Sequence, residues 1–364
     1  MRVDWLSLLA FRSYKSLEWS PEPGVNLLFG PNGSGKTNAL EAIGYLGSLK
    51  SFRSTPDSAV IADGVESAVI RAGLTSEDRN RLVEIELPRQ GSRRTQVDKT
   101  RLKRAADLLG VVRVVAFLPE DLDLIKRGPS YRRDLLDAIA VQLWPAAYLD
   151  QSEFERSLRQ RNAFLKTGER DDASLSVWDS RLAQSAGRVM ARRTRVIETL
   201  SATLIDAYKE IAQDASVASF TYHTSWGDSE LHQASAAEFA DSIAKALEQS
   251  RRHDYERRMT TVGPHRDELG FSIDGHETRT HGSQGEQRTM ALAVRLAAHR
   301  AIAEAVGESP ILLLDDVFSE LDSDRASALA RSLPSDTQTL ITSARPEDIP
   351  ISGSTWKVGG GTIG

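Results

Sequence analysis

Phe29-Gly30-Pro31-Asn32-Gly33-Ser34-Gly35-Lys36-Thr37-Asn38 carries, from Gly30 to Thr37, the pattern G-x-x-x-x-G-K-[ST] of a loop that wraps nucleotide phosphates. Glycines let consecutive backbone N–H groups turn inward around phosphate oxygens. Lys36 adds a point charge, and the Thr37 hydroxyl can ligate Mg²⁺. The flanks suit this reading. Val25 to Phe29 is a short apolar strand, and Asn38 to Leu49 carries Leu40, Ile43, Tyr45, Leu46 and Leu49 at helical spacing. Gly30, Pro31, Asn32, Gly33, Ser34, Gly35, Lys36, Thr37 and Asn38 are therefore the expected contacts to ATP or GTP.

A second motif narrows the chemistry. Ser309 to Asp322 reads Ser-Pro-Ile-Leu-Leu-Leu-Asp-Asp-Val-Phe-Ser-Glu-Leu-Asp, an aliphatic run ending in two adjacent carboxylates. A fully apolar run suits a buried parallel strand, whose C-terminal end is where an open α/β sheet presents ligand-contacting groups. On that reading Asp315 holds Mg²⁺, directly or through water, and Asp316 polarises an attacking water while Lys36 stabilises phosphate charge.

A third segment bears on assembly. Gly282-Ser283-Gln284-Gly285-Glu286-Gln287 precedes a helix whose apolar face runs through Met290, Val294, Ala297, Ala298, Ile302 and Ala305, with Ser283 as a candidate N-cap and Gly307 as the stop. Ser283-x-Gly285-x-Gln287 resembles the signature motif of ABC-type ATPases. There a serine, backbone amides and a helix N-terminus meet the γ-phosphate of a nucleotide held by the other subunit. The resemblance implies that Ser283, Gly285 and Gln287 contact ATP bound to a second copy. Ser319-Glu320-Leu321-Asp322 resembles the loop with which such dimers feel the opposing site, which adds Asp322 to the expected ATP contacts.

Over nearly the whole chain, from near residue 3 to near residue 342, the sequence resembles the RecF family of bacterial recombination and gap-repair proteins. The resemblance is carried by Leu8 to Tyr14, Gly33 to Ile43, Lys50 to Arg53, Leu118-Pro119-Glu120-Asp121-Leu122 continuing to Asp137, and Thr261 to Leu269. It implies an ABC-type P-loop ATPase head, α/β with a mixed sheet plus helices, carrying an inserted α-helical arm. It also implies an ATP-dependent homodimer that clamps DNA at gaps or single-strand/double-strand junctions, with RecR and RecO as partners and RecA loading as the outcome. Three departures are visible. Arg127 stands where the family has glycine, and Asp316 stands where transporter ATPases have glutamate. Thr342-Ser343-Ala344 leaves no switch histidine after the strand Thr339 to Ile341, so slow hydrolysis is expected.

Composition is compatible with a head plus insert: 364 residues, 40% hydrophobic, no cysteine. The longest apolar stretches, such as Val111 to Leu118, are far short of the roughly 20 residues that span a bilayer. The start lacks the shape of a secretion signal, so a cytoplasmic protein is expected, with no membrane partner, and the RecF resemblance implies that it is nucleoid-associated. A formal net charge of −5 leaves DNA contact to local stripes. Four basic clusters qualify: Arg89, Arg93, Arg94, Lys99, Arg101, Lys103 and Arg104; Lys126, Arg127, Arg132 and Arg133; Arg188, Arg192, Arg193 and Arg195; and Arg251, Arg252, Arg257 and Arg258. The sequence does not choose among them, and each is also readable as solvated, salt-bridged surface.

The head is expected over residues 1–116 plus 256–364 and the arm over 117–255. Strands are read at Val3 to Leu9, Leu82 to Leu87 and Leu269 to Ile273, and a long helix over Asp179 to Ala212, its apolar face interrupted by Arg193. Thr261 to Leu269 reads either as a relay between nucleotide and arm or as a satisfied polar turn; the last seven residues read as a flexible tail or a last turn. Two other classes share the nucleotide motifs. A transporter's nucleotide-binding subunit would usually carry the switch histidine, and an SMC-type clamp would carry a longer coiled coil.

Overall fold

A computed structural model of the chain describes residues 1–53, 55–77, 79–226, 234–345, 347 and 349–364. In chain order come β1 (Arg2–Phe11), β2 (Tyr14–Trp19), β3 (Val25–Phe29), α1 (Lys36–Ser48), β4 (Ser67–Ser76), β5 (Arg79–Pro88), β6 (Arg94–Val97), β7 (Thr100–Arg101) and β8 (Val114–Phe117). Next are α2 (Pro129–Leu143), α3 (Ala147–Thr167), α4 (Asp172–Ala212), β9 (Ala218–His223) and α5 (Ala236–Arg257). The remainder is β10 (Glu268–Ile273), β11 (His276–Glu277), α6 (Thr278–His281), α7 (Gln284–Val306), β12 (Ile311–Asp315), α8 (Ser323–Ser332), β13 (Thr339–Ser343), β14 (Ser354–Gly359) and β15 (Thr362–Ile363). No helix among the described residues is long and apolar enough to cross a membrane.

The chain divides into two compact units. The first is Met1–Asp123, Thr203–Ser216 and Gln284–Gly364, and it holds two six-stranded sheets. One runs β15-β14-β3-β13-β12-β8, with β14, β3, β13, β12 and β8 all parallel. Every residue of β12 and β13 is buried, as a parallel sheet covered on both faces requires. The pairing aligns Asp315 with Thr342 and Thr342 with Leu28, so β12, β13 and β3 end side by side. The other sheet, β2-β1-β4-β5-β6-β7, is antiparallel, and in β5 Val83, Ile85 and Leu87 alternate inward.

The last residues form neither a tail nor a mere turn. β14 lies parallel to β3 and folds back into β15. It is fixed by Trp356, whose Nε1 donates to Asn26 Oδ1 at 2.9 Å and whose ring meets Trp19 edge-on at 5.9 Å. A glycine-rich end with few apolar residues gives no sequence sign of that anchorage.

The second unit is Leu124–Ala202 and Val217–Ser283. Phe154, Leu182, Ala186, Met190, Phe239, Ile243 and Leu247 form its helical core. It also contains a three-stranded sheet, β11-β10-β9. Leu269 to Ile273 is a strand as read, yet it pairs with β9, Phe271 opposite Phe220 with ring centroids 5.7 Å apart, and so belongs to this unit. The division accordingly falls at 123/124 and 283/284, away from the expected 116/117 and 255/256. Thr203–Ser216 joins the first unit, where Glu210 takes an ion pair from Arg300.

Helix α4 begins at Asp172, ahead of the expected Asp179, because Asp171 Oδ1 caps the backbone N–H groups of Ala173 and Ser174. At about 1.5 Å per residue it is roughly 60 Å long. Arg193, which breaks its apolar pattern, is buried: Nε and Nη2 donate to the two oxygens of Asp137 at 2.7 and 2.8 Å, and Nη1 to Pro264 O at 2.7 Å. Arg127 stands without a positive φ, so the side chain in place of glycine costs no backbone strain, and its guanidinium lies 4.8 Å over the Tyr131 ring.

Within the second unit Arg161 is fully buried, Nε donating to Asp179 at 2.7 Å and Nη1 to Asp254 at 2.7 Å and Thr260 Oγ1 at 2.9 Å. Asp254 also accepts from Thr261 N at 2.9 Å. Farther along, Asp267 accepts from Ser225 N at 2.9 Å, and His265 Nε2 lies 3.2 Å from Thr260 O. These bonds shape a polar turn, within which His265 Nδ1 is buried without a hydrogen-bond partner among the described residues.

Removing one partner from a buried pair strands the other charge. Arg161→Met should therefore lower the unfolding free energy by about 3–5 kcal/mol, read from the denaturant midpoint, and Arg161→Met with Asp179→Leu and Asp254→Leu should recover much of it. Burial lowers the His265 pKa from its ordinary 6.5 to about 4. The unfolded chain then binds the extra proton between those values, so this stabilisation is complete above pH 6.5 and is lost as pH falls through about 4. Its size is up to about 3 kcal/mol. His265→Gln should reduce proton uptake on unfolding at about pH 5 by close to one.

Candidate functional site

The end of β3 turns into the loop Gly30 to Gly35, and α1 starts at Lys36. Two glycines are dictated by space. A Cβ on Gly30 would lie 2.3 Å from Val358 O, and one on Gly35 would lie 2.9 Å from the Tyr14 hydroxyl. Gly35 also has φ +112° as the residue before α1, a backbone that L side chains resist. The Tyr14 hydroxyl donates to Gly35 O at 3.1 Å. Ser34 N closes the loop on Pro31 O at 3.1 Å, and Lys36 Nζ donates to Gly30 O at 2.6 Å and Pro31 O at 3.1 Å. Burial lowers the Lys36 pKa, and the nearby carboxylates of Asp316 and Asp315 oppose that.

The acidic strand meets this loop directly. Thr37 Oγ1 donates to Asp315 Oδ1 at 2.8 Å, and Thr342 Oγ1 donates to the same oxygen at 2.7 Å. Burial raises the Asp315 pKa, against the two hydroxyl bonds and the charge of Arg53. Asp316 adopts φ +51°, a left-handed conformation uncommon outside glycine. Its N–H donates to Thr342 Oγ1 at 2.9 Å, while its Oδ1 is buried without a hydrogen-bond partner among the described residues. A hydroxyl and a carboxylate 2.8 Å apart are hard oxygen donors of the kind Mg²⁺ takes alongside substrate phosphates and waters, so the residues fit that ion. In sequence Thr342 marks only the missing switch histidine; in the fold it ties the two aspartates to β13.

Beside the loop is a charged network that none of the nucleotide-site motifs includes in full. Glu41, fully buried on α1, accepts from Arg12 Nε at 2.9 Å and Nη2 at 2.5 Å, and from Ser51 Oγ at 2.5 Å. Asn38 donates to Ser13 Oγ at 2.8 Å and accepts from Arg53 at 3.2 Å. The signal lay in Leu8 to Tyr14 and Lys50 to Arg53, whose pattern stood out without a chemical role.

The Ser283 to Gln287 segment opens α7, with Ser283 ending one unit and Gln284 beginning the next stretch of the other. Gly285 faces Arg325, whose Nη2 would be 2.2 Å from a Cβ there, and Arg325 Nε donates to Thr289 Oγ1 at 3.1 Å. Asp322 caps α8 through Arg325 N at 2.9 Å and pairs with the Arg325 guanidinium. Arg288 Nη1 donates to Glu320 O at 2.7 Å. The signature-like turn and the loop after the acidic pair are thus joined within one chain. Farther along α7, Arg295 pairs with Asp121 at 2.5 Å, and Asp121 also accepts from Leu118 N at 2.8 Å.

The family model for the RecF/RecN/SMC N terminal domain matches residues 2–358. The DNA replication and repair protein RecF of Streptomyces avermitilis is 37% identical over 374 residues, covering 100% of this chain and 99% of that protein. Two solved structures, of the recombination mediator protein RecF-ATPrS and of RecF-ATP in the RecFOR pathway, are each 29% identical and cover all of this chain, and 97% and 98% of theirs, with TM-scores of 0.91 and 0.87.

Because an added Cβ at position 30 would strike the Val358 backbone on one side and crowd the Ser34 hydroxyl on the other, Gly30→Ala should displace the loop or β14. A loss of nucleotide binding of at least about tenfold is expected by calorimetric titration, with a Tm lowered by a few degrees.

Proposed function

The chain belongs to the RecF family of DNA replication and repair proteins, and from this we propose that it is an ATP-dependent DNA-repair ATPase that closes as a homodimer on DNA. The reading is carried by one observation: Thr37 and Asp315, 278 positions apart, share a hydrogen bond beside Lys36 and Asp316. That arrangement supports a nucleotide site, and the RecF-ATP structure supports ATP as the nucleotide.

Each site combines Gly30 to Asn38 and Asp315-Asp316 of one chain with Ser283, Gly285, Gln287 and Asp322 of the other. Thr37 and Asp315 hold Mg²⁺, which supplies charge neutralisation at the phosphate oxygens. Lys36 exchanges the carbonyls of Gly30 and Pro31 for phosphate oxygens. Asp316, with a buried oxygen that has no hydrogen-bond partner among the described residues, orients the attacking water and takes up its proton as the bond to the γ-phosphorus forms and the β–γ bridging bond breaks, leaving ADP and phosphate. The short aspartate arm and the threonine in place of a switch histidine make turnover slow. ATP bound between two copies closes the clamp at gapped or junction DNA, and hydrolysis reopens it. RecR and RecO are the partners of this reading, and RecA loading is its outcome.

Self-association and binding to gapped duplex, measured with and without ATP, test it. Lys36→Ala should abolish ATP-dependent dimers. Asp316→Asn should lower turnover about 10²-fold or more, as loss of a general base does, and accumulate dimers on DNA. ATP-independent monomers that ignore DNA would sink the reading.

A further inference from the structure

In each of the four basic clusters several cations are held by internal pairing or packing. Arg132 and Arg133 are bound to Glu268 and to Asp267 O; Arg188 and Arg192 share Asp150, and Arg193 holds Asp137. Arg195 lies 4.5 Å over the Trp144 ring. Arg251 is bonded to Asp179, Arg252 to Glu256, and Arg257 ends α5, where a cation already favours the helix terminus. The remaining cluster differs. Arg93, Arg94, Arg101, Lys103 and Arg104 line one cavity of about 590 Å³ at the β6–β7 edge of the antiparallel sheet. The carboxylate in its wall, Asp57, is held by Arg93 at 3.2 Å and Tyr45 Oη at 2.7 Å.

Arg94 and Arg104 lean on Glu86 and Asp107 at 3.1 and 2.7 Å, more than half exposed. The side chains of Arg101 and Lys103 are exposed and have no ion pair or hydrogen bond among the described residues. Cations on a short edge strand can also serve to deter strand pairing. That role needs charges along an edge; it does not need them gathered around a hollow wide enough for phosphate groups in a protein whose net charge is −5.

We propose that the Arg93–Arg104 pocket is a phosphate-backbone site for duplex DNA, with Arg101 and Lys103 as its contacts. This rests on the DNA-binding reading above and says which surface performs it. Phosphate contacts release counterions, so each lost contact lowers the slope of log affinity against log salt by about 0.9.

The test is fluorescence anisotropy of the full chain with a labelled duplex, at about 50 to 200 mM salt. Arg101→Ala/Lys103→Ala should weaken binding about tenfold at mid-range salt and lower the slope by about one to two, with ATP binding and ATP-dependent self-association at wild-type levels. Arg257→Ala/Arg258→Ala should leave the slope unchanged. A double variant with the wild-type slope overturns the pocket and leaves the DNA-binding reading standing; a wild-type chain that binds no duplex overturns both. Aggregation of the double variant with an unchanged slope for its soluble fraction assigns these cations to edge protection instead. If titrated inorganic tripolyphosphate loses affinity in the variant while duplex does not, the pocket is a small-anion site and the proposal fails.

Discussion

One buried oxygen organises the first unit. Asp315 Oδ1 accepts from Thr37 on α1 and from Thr342 on β13, so three elements distant in sequence converge on a single carboxylate. Burial makes that convergence obligatory, because a carboxylate at 7% exposure is costly without donors. Strand register supplies them. With β12, β13 and β3 parallel and aligned, their carboxyl ends fall together, and the phosphate loop, the acidic pair and Thr342 are neighbours by construction. A slip of one residue in β13 would turn Thr342 to the other face and leave the aspartate alone.

The second unit is held by a different device. Its core is apolar, but Arg161 and Arg193 are buried with their guanidiniums shared among Asp179, Asp254 and Asp137. Such pairs add little net stability compared with apolar packing, yet they allow one arrangement only, since any other strands a charge. The bonds that Arg161 donates to Thr260, Thr261 to Asp254 and Ser225 to Asp267 tie the segment 260–267 to this network.

The elements with strong period were legible in sequence. Val25 to Phe29 and Ile311 to Leu314 are apolar runs with nowhere to go but a buried sheet, and α4 declared itself through three- and four-residue steps. The phosphate loop and the acidic pair were legible for a chemical reason, since few residue types can do their work. What was missed depends on partners far away in the chain. β9 looks like surface until β10 lies beside it, and the terminal β14 gains its place from Asn26 and Trp19. Thr342, Glu41 and Arg325 are ordinary residues made specific by what they touch. Among basic clusters, composition weighs every cation alike, and only pairing separates a used arginine from a free one.

The position of β3 has a consequence for how the chain is made. Its neighbours in the sheet are β13 and β14, which begin at Thr339 and Ser354, more than 300 residues later. At about 5–20 residues per second, both edges of this apolar strand stay unpaired for on the order of tens of seconds during synthesis. The strand that carries the phosphate loop is thus the one longest exposed to wrong partners. Asn26 interrupts its run of aliphatic side chains. In the finished sheet that amide is buried and bonded to Glu22 O, Gly24 O and Trp356; in the nascent chain it is the one polar side chain guarding an open strand.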